Sequence, residues 1–331
     1  MPSDYKFDAG NWSVTVGGQP IQWTQIEITL EQFHTPAQFA ISAPLQTVNV
    51  PKLLTDTPSE VVISYAQKEW FVGQLDDSNA SGEDGFDDLH LRGRDLSARF
   101  ALRKVEAHLP NNITASELVK TYCQEAEFSD LSKITATQHQ IGVPTKDNSH
   151  LISRGMSRHD ILFDLAESES FAFRVYRRQP FFGLQPEPGA KKSMPLVYHQ
   201  HFNRYAWSKS HTNSDVSIRV ISWDAKAKAR IAHTAGSGSL VITKNIPGIK
   251  LDKAKAIAEK LARDAGRSLL RLSISDIPGD AALDDILWAF EVSGIAPGID
   301  QTYWPERIHH VITQDSHVMD VELYNAKRIL Q

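Results

Sequence analysis

The chain has 331 residues, of which 41% are apolar and 23% charged; this composition is typical of a folded globular protein and excludes an intrinsically disordered chain. The formal net charge of −5 and the pI near 6.2 argue against a dedicated nucleic-acid binder, which usually carries a basic surface. A single cysteine, Cys123, excludes an internal disulfide framework and favours a reducing compartment.

The apolar runs are short and interrupted by charges, so we expect no membrane insertion. The N-terminal stretch MPSDYKFDAGNW has no basic region followed by an apolar core, and we therefore expect no secretory signal. The length is sufficient for two or three domains.

Alternation of apolar and polar residues predicts antiparallel strands in the first third of the chain. It is clearest over residues 12–16, 26–30, 61–65 and 88–92, because successive side chains of a strand point to opposite faces. The residues between these strands predict two connections. Gln67-Lys68-Glu69 is expected to close a hairpin, and the stretch from Asp76 to Gly85 is expected to be a polar loop. Asp95 is expected to cap a short helix.

From Val105 the apolar period becomes helical. Thr114 and Glu117 have the spacing of a capping box, and Ser157 and Asp160 repeat it. Both predict helices, and the alternating residues 171–175 predict a strand after the second helix. The middle third therefore reads as a small α+β insert.

Strands resume from Val197, and one helix is predicted from Leu251 to Gly266 because its apolar residues recur at helical spacing. The predicted fold is mainly β with an α+β insert: two tube-like antiparallel β-barrels joined by a small α+β domain. We place the first barrel at 1–104, the insert at 105–196, and the second barrel at 197–331 with helix 251–266 packed on it.

Thirteen histidines raise the possibility of a metal site. His199 and His201 are two residues apart on a predicted strand, and His309 and His310 are adjacent, but neither pair has a third ligand at zinc spacing. The remaining histidines of this region, His211 and His233, add no known pattern. We therefore predict no metal.

The acidic pairs are predicted to be solvated surface groups or an acidic rim that repels phosphate, rather than the two fixed carboxylates of a glycosidase. They are Asp76-Asp77, Glu83-Asp84, Asp87-Asp88 and Asp284-Asp285.

The glycine-rich stretch Gly236–Ser239 precedes a strand rather than a helix, so it predicts a loop and no phosphate site. Cys123 lies in a predicted helix without a histidine at catalytic spacing, which indicates a structural thiol. We predict no catalytic, cofactor-binding or metal residues, no cofactor, and no enzymatic activity.

The order of several short motifs along the chain resembles the phage late control D family, the baseplate hub proteins of contractile phage tails, which are similar to the hub part of type VI secretion spikes. The motifs are W-x-V-G-x-L at 70–75, G-R-D-L at 93–96, the segment 152–166, V-I-S-W-D at 220–224, the Ala-rich helix at 254–265, and the run from Val292 to Leu323.

This resemblance implies a homotrimer that forms a pseudo-hexameric ring of barrels, and few charges on one face of the long strands also favour a closed oligomer. The implied partners are the tail tube protein, the central spike protein, the baseplate wedge proteins and the tape-measure protein. DNA would contact the chain only in transit through the lumen. The implied location is the tail baseplate of the virion, after assembly in the host cytoplasm. We expect lumen-facing strands to carry more Asp and Glu than Lys and Arg, since bound phosphate would slow ejection.

Two alternatives remain from the sequence. One is a tail-associated enzyme that degrades peptidoglycan, which would need a convergent acidic or Cys/His site. The other is a distal tail or tail-associated protein of a non-contractile tail, which would share the barrels.

Overall fold

The structure is a computed structural model of the chain, and it describes residues 7–48, 58–83, 86–101, 104, 113–138, 140–141, 156–189, 192–210, 216–224, 228–246, 249–267 and 270–325. About half of these residues lie in strands, most of which pair antiparallel, and the helices are few. Within these ranges, none of the helices has the length and apolar character needed to cross a membrane.

Seven strands form in the first third, and their burial alternates as the sequence predicts. In the third strand Ile26, Ile28 and Leu30 are buried while the residues between them contact solvent. The strands are β1 (Trp12–Val16), β2 (Gln19–Ile21), β3 (Gln25–Glu31), β4 (Gln38–Pro44), β5 (Glu60–Tyr65), β6 (Lys68–Glu83) and β7 (Phe86–Asp95), with 3-10 turns at Ala9–Asn11 and Leu45–Thr47.

The polar loop expected from Asp76 to Gly85 is wrong, because β6 continues through it to Glu83 and pairs with β7 along the way. The register shifts between Leu75 and Asp77, which is the signature of a β-bulge. The pairing of β5 with β6 stops at Gln74, and beyond this point the outer edge of β6 pairs with no other strand among the described residues, so the ribbon needs few apolar side chains. A strand of polar residues therefore looks like a loop in the sequence.

The hairpin between β5 and β6 turns at Ala66 and Gln67, not at Gln67-Lys68-Glu69 as expected. Both turn residues have positive φ, 47° and 64°, as a two-residue primed turn requires. Lys68 and Glu69 already belong to β6 and pair with Tyr65 and Ser64. The sequence lacks the usual Asn-Gly at this turn, so its position could not be predicted.

Both predicted capping boxes of the insert are confirmed. The Thr114 hydroxyl accepts from the Glu117 amide at 3.3 Å, and the Glu117 carboxylate accepts from the Thr114 amide at 2.7 Å. Ser157 and Asp160 make the same reciprocal pair at 3.1 and 3.4 Å. Asp95 also accepts from the Ser97 amide at 2.9 Å ahead of the short helix, as expected.

The insert packs around its own apolar core, which includes Phe100, Leu118, Leu162, Phe173 and Phe182. Its elements are α1 (Ala98–Ala101), β8 (Ile113–Thr114), α2 (Ala115–Glu125), β9 (Gln140–Ile141), α3 (Arg158–Glu169), β10 (Ala172–Tyr176) and β11 (Gln179–Gly183).

The last third returns to strands and contains one long helix. Its elements are β12 (Ser193–Val197), β13 (Arg204–Lys209), β14 (Val216–Asp224), β15 (Ala229–Ala235), β16 (Leu240–Asn245), α4 (Leu251–Arg267), β17 (Leu270–Pro278), β18 (Ala289–Ser293), β19 (Thr302–Thr313) and β20 (His317–Asn325).

The two strand groups form one continuous sheet, because β3 pairs antiparallel with β19 over residues 25–31 and 307–313. The order of strands along this sheet is β13-β17-β20-β19-β3-β4-β7-β6-β5-β1-β2, with β18 joined to β19 and β12 to β18. One apolar core spans both groups, from Trp12 to Leu323. The predicted fold class, mainly β with an α+β insert, is confirmed; the boundaries of the three predicted domains stay predictions.

Helix α4 packs on a separate three-stranded sheet, in the order β15-β14-β16, rather than on the large sheet. Val220, Ala254 and Ala258 form the centre of this third core. We call β14, β15, β16 and α4, within residues 216–267, the basic layer, because lysine and arginine outnumber aspartate and glutamate there. The sequence predicted the helix correctly but not its partner, because the partner strands could equally have belonged to the second barrel.

Candidate assembly interface

Strand β13 is an open edge of the large sheet. Within the described part of the chain it pairs with β17 alone, and all six of its residues are exposed. Trp207 is 53% exposed and Tyr205 36%, which is unusual for large aromatic side chains. An exposed strand edge with apolar side chains favours pairing with another chain.

The two aromatic residues stand on the core side of the sheet. Tyr205 pairs with Ile274 and Trp207 with Leu272, and both partners are fully buried. Tyr205 also contacts Tyr198 edge to face, with ring centroids 5.1 Å apart. The core side of the sheet therefore continues to its edge and remains uncovered there.

The opposite side of the large sheet is mainly polar where the two strand groups join, whereas at Val62 and Val72 it packs against the core of the insert. At its centre a cleft of about 380 Å³ is lined by Thr29, Glu31, Gln38, Arg307, His309, Asp320 and Glu322. The carboxylates of β3, β19 and β20 on this side are Glu27, Glu31, Glu306, Asp320 and Glu322, and the guanidinium on the same three strands is that of Arg307. This surface is acidic at the place where the two strand groups join.

Arg307 links the two strand groups electrostatically. Its guanidinium donates to Glu31 at 2.8 Å and to Glu322 at 3.1 Å. Burial raises the pKa of Glu31 although Arg307 opposes the shift, and the hydrogen bond to Glu31 raises the pKa of Arg307. Thr29 and His309 add a side-chain contact, Oγ1 to Nδ1, at 3.0 Å. These bonds hold β3, β19 and β20 in fixed register.

The insert is fastened to the large sheet by arginines of β10 and of the turn after it. Arg174 donates two bonds to Asp285, at 2.7 and 2.9 Å, and its side chain and that of Asp285 are 15% and 14% exposed. Arg177 donates to Asp284 at 2.6 Å. The pair Asp284-Asp285 was expected to be solvated surface; this is wrong, because the two carboxylates neutralise guanidinium groups at a partly buried junction.

The motif Gly93–Leu96, one basis of the family resemblance, has a structural role. A Cβ at Gly93 would lie 2.1 Å from the Gln74 carbonyl oxygen and 2.6 Å from the Phe39 ring, so only glycine fits. The Asp95 carboxylate is buried and accepts from the Ala37 amide at 2.8 Å. Burial raises the pKa of Asp95 to about 6. The motif therefore ties β7 and the insert to β4.

The histidines considered as metal ligands do not converge. His199 and His201 lie in a turn after β12, not on a strand as expected, because the chain bends back at Val197 and the His201 Nδ1 accepts the Val197 amide at 2.9 Å. His309 and His310 point to opposite sides of the sheet, since they are adjacent in a strand. In the ranges that the structure describes, no three His, Cys, Asp or Glu side chains are grouped to hold a metal ion.

The His211 position lies outside the described residues, and His233 is in β15. Gly236–Ser239 connects β15 to β16 as a loop, as expected. Asp87-Asp88 are in β7, and Asp76-Asp77 are in β6, where Arg94 binds Asp76 at 2.6 Å. Glu83 ends β6, and Asp84 is outside the described residues. The acidic pairs Asp76-Asp77 and Asp87-Asp88 therefore lie on neighbouring strands of one hairpin.

Cys123 is buried in the insert core, and burial raises its pKa to about 12, so the thiol is protonated at neutral pH. This state is unsuited to a nucleophile.

A buried histidine pair was not predicted. His310 Nδ1 and His317 Nε2 are 3.0 Å apart in the core, and Trp70 meets the His310 ring edge to face at 5.1 Å. Burial lowers the pKa of His317 to about 4 and that of His310 well below its usual value, with the neighbouring His317 as a further cause. Only the strict alternation of residues 308–312 could have indicated that His310 is buried.

Solved structures of similar fold were found, whereas no family model and no curated protein matches the chain. A tail protein from Neisseria meningitidis MC58 aligns over 95% of this chain and 97% of its own, with a TM-score of 0.71 and 14% identity. The 43 kDa tail protein of prophage MuSo2 from Shewanella oneidensis aligns over 95% and 98%, with a TM-score of 0.70 and 12% identity. The chain has the fold of phage tail proteins.

A component of a secretion system has a similar fold. An E. coli component of the type VI secretion system, described as similar to tail proteins gp27 and gp5 of bacteriophage T4, aligns over 94% of this chain and 75% of its own, with a TM-score of 0.55 and 11% identity. The resemblance to tail proteins and to type VI secretion spikes is thus confirmed at the level of the fold, whereas membership of the late control D family stays a prediction.

Proposed function

We propose that the chain is the structural hub of a phage tail baseplate, and that it acts as a homotrimer. The tail fold, shared over 95% of the chain with two phage tail proteins along nearly their whole length, is the observation that carries this proposal. Each chain contributes two strand groups, so three copies give a pseudo-hexameric ring. We keep the division at 1–104, 105–196 and 197–331 as part of the proposal.

The open edge β13 is our candidate for the contact between copies. Closing a ring removes strand edges that would otherwise pair at random. Trp207, half exposed beside a fully buried Leu272, has the position of an interface residue that becomes buried on assembly.

In this proposal the polar side of the large sheet lines the channel. The carboxylates of β3, β19 and β20 would repel the phosphates of DNA passing through, as expected from the sequence. DNA is in transit and is not held, and the tape-measure protein occupies the same channel before ejection.

The ring would sit between the tail tube protein on one side and the central spike protein on the other, with wedge proteins around it. Likeness to a type VI secretion component that resembles both gp27 and gp5 supports the spike as a partner. The location in this proposal is the tail baseplate of the virion, reached after assembly in the host cytoplasm. The role is mechanical, without enzymatic activity.

Light scattering coupled to size-exclusion chromatography tests the trimer. We expect the mass of three chains, and we expect Trp207→Ser to weaken the trimer by about tenfold or more, because a central interface tryptophan is often worth about 2 kcal/mol. Leu184→Ser is the matched control, since Leu184 is 72% exposed and lies outside β13. A monomer at high concentration, or equal effects of both substitutions, would contradict the proposal. A zymogram with peptidoglycan separates the enzymatic alternative.

A further inference from the structure

The basic layer has a charge opposite to that of the rest of the chain. Residues 216–267 contain eleven lysine and arginine residues but four aspartate and glutamate residues, in a chain of net charge −5. Arg230 and Lys244 are exposed on its strands, and Lys228 is exposed in the turn before β15. This concentration of positive charge on one small sheet and its helix is expected to attract an acidic partner.

Strand β16 is an open and apolar edge of this layer. In the described residues it pairs with β14 alone, in parallel. Leu240, Val241 and Ile242 are 51%, 49% and 48% exposed, although β-branched and aliphatic side chains normally become buried in a sheet. The free edge offers backbone N–H and C=O groups along a surface of aliphatic side chains.

The reason for this exposure is the position of helix α4. The helix contacts β14 and β15. Leu240 pairs with Val216 and Ile242 with Ile218, and both valine and isoleucine partners on β14 face the helix and are buried. Leu240 and Ile242 therefore lie on the same side of the sheet as the helix, but the helix does not extend over them. Next to them Lys244 and Lys260 line a cavity of about 250 Å³. An extended segment placed along β16 would fill the strip between the helix and this edge.

The chain itself contains an acidic segment with the required backbone. Residues 76–83 and 86–88, on the two strands of the β6–β7 ribbon, include five aspartate and glutamate residues and no lysine or arginine. We call this segment the acidic arm. Beyond Gln74 the edge of β6 has no strand partner in the described part of the chain, and Asp77, Ser81 and Asp88 are exposed. The acidic arm thus offers an open strand edge and negative charge together.

We propose that the acidic arm of one copy pairs with strand β16 of the neighbouring copy, so that the basic layer holds the ring together at a second contact. This inference rests on the homotrimer of the proposed function. Strand addition satisfies the backbone groups of both open edges, covers part of Leu240, Val241 and Ile242, and places carboxylates beside lysines. Phosphates of a nucleic acid or a membrane would use the lysines but leave the aliphatic strand edge unpaired.

A charge exchange tests this contact. We expect Lys244→Glu, on β16, to weaken the trimer by about tenfold, and Asp77→Lys, on the open edge of β6, to do the same. Both substitutions together are expected to restore assembly, because the attraction is reversed in sign but kept. Lys68→Glu is the control, since Lys68 is equally exposed but lies outside the basic layer.

A cysteine pair locates the contact. In a Cys123→Ser background, Ser81→Cys with Val241→Cys is expected to give covalent oligomers on oxidation, whereas Ser81→Cys with Leu184→Cys is expected to give none. A trimer without cross-links and without sensitivity to the charge variants would overturn this inference alone. A chain that is monomeric at every concentration would overturn the proposed function as well. If the Lys244→Glu variant loses binding to anionic vesicles or to a DNA oligonucleotide while the trimer is unchanged, the basic layer serves such a surface and the inference is wrong.

Discussion

Arg174 should contribute far more stability than Arg178, although each arginine makes several hydrogen bonds to carboxylates. Arg174 and Asp285 are 15% and 14% exposed, and the Arg174 guanidinium also lies over the Phe33 ring at 4.3 Å. Arg178 is 48% exposed, and its partners Glu60 and Glu69 are 31% and 42% exposed. Water and salt screen the second set of charges but largely not the first.

Arg174→Met keeps most of the side-chain volume but leaves the Asp285 carboxylate partly buried without its counter-charge. Removing one partner of a buried pair costs about 3–5 kcal/mol, and the residual exposure places this case near about 3 kcal/mol. Exposed pairs are worth up to about 1 kcal/mol, so Arg178→Met should cost about 1 kcal/mol or less.

Urea unfolding, followed by far-ultraviolet circular dichroism, measures both losses. A double-mutant cycle with Asp285→Leu should recover a large part of the Arg174→Met loss, because the unpaired charge is then gone. Equal losses for the two arginine variants, or no coupling between Arg174 and Asp285, would refute the account of how the insert is fastened to the large sheet.

Two further predictions concern the core. Stability should fall as the pH decreases from about 6.5 to about 4, because burial lowers the pKa of His317 to about 4 and that of His310 well below its usual value, so the unfolded state takes up protons first. Each of the two histidines should contribute a slope of up to about 1.4 kcal/mol per pH unit, whereas Asp95, whose pKa burial raises to about 6, contributes a slope of opposite sign below pH 6. Thermal melting of the wild type and of His317→Leu between pH 7.5 and pH 4.5 isolates the share of the histidines, and equal profiles of the two proteins would show that the pair is not buried. Gly93→Ala should destabilise by about 3 kcal/mol or more, because its Cβ would meet the Gln74 carbonyl oxygen at 2.1 Å, whereas Gly298→Ala, with φ of +88° but no atom within 4 Å, should cost about 1–2 kcal/mol. Similar melting temperatures for the two glycine variants would argue against the close approach of β6 and β7.

Local chemistry was the part of the fold that the sequence predicted best. The capping boxes at Thr114 and Ser157 depend on residues three apart, and the alternation of Ile26, Ile28 and Leu30 depends on neighbours in one strand. Such patterns are complete in a short stretch of chain, so they can be recognised without knowing what packs against them.

Non-local pairing was the part that could not be predicted. Nothing in residues 25–31 indicates that they pair with 307–313, and nothing in α4 indicates which sheet it covers. The polar composition of the second half of β6 predicts a loop. In the structure this stretch is a strand because it forms backbone hydrogen bonds with β7, which its composition does not indicate.

The sequence predicted that some strand edges form an interface, but it did not predict which strands these are. Amphipathic strands indicated that some edges need partners, yet the exposure of Trp207 and of Leu240 depends on which strand lies last in each sheet. Likewise, Asp284 and Asp285 appear as surface groups in the sequence because their arginine partners lie more than a hundred residues away.

Electron microscopy of the purified chain tests the central claim most directly. The account predicts a ring with threefold symmetry and six similar lobes around a central channel, with the polar side of β3, β19 and β20 turned toward that channel. Particles of a single chain, or a ring in which this side faces outward, would contradict it.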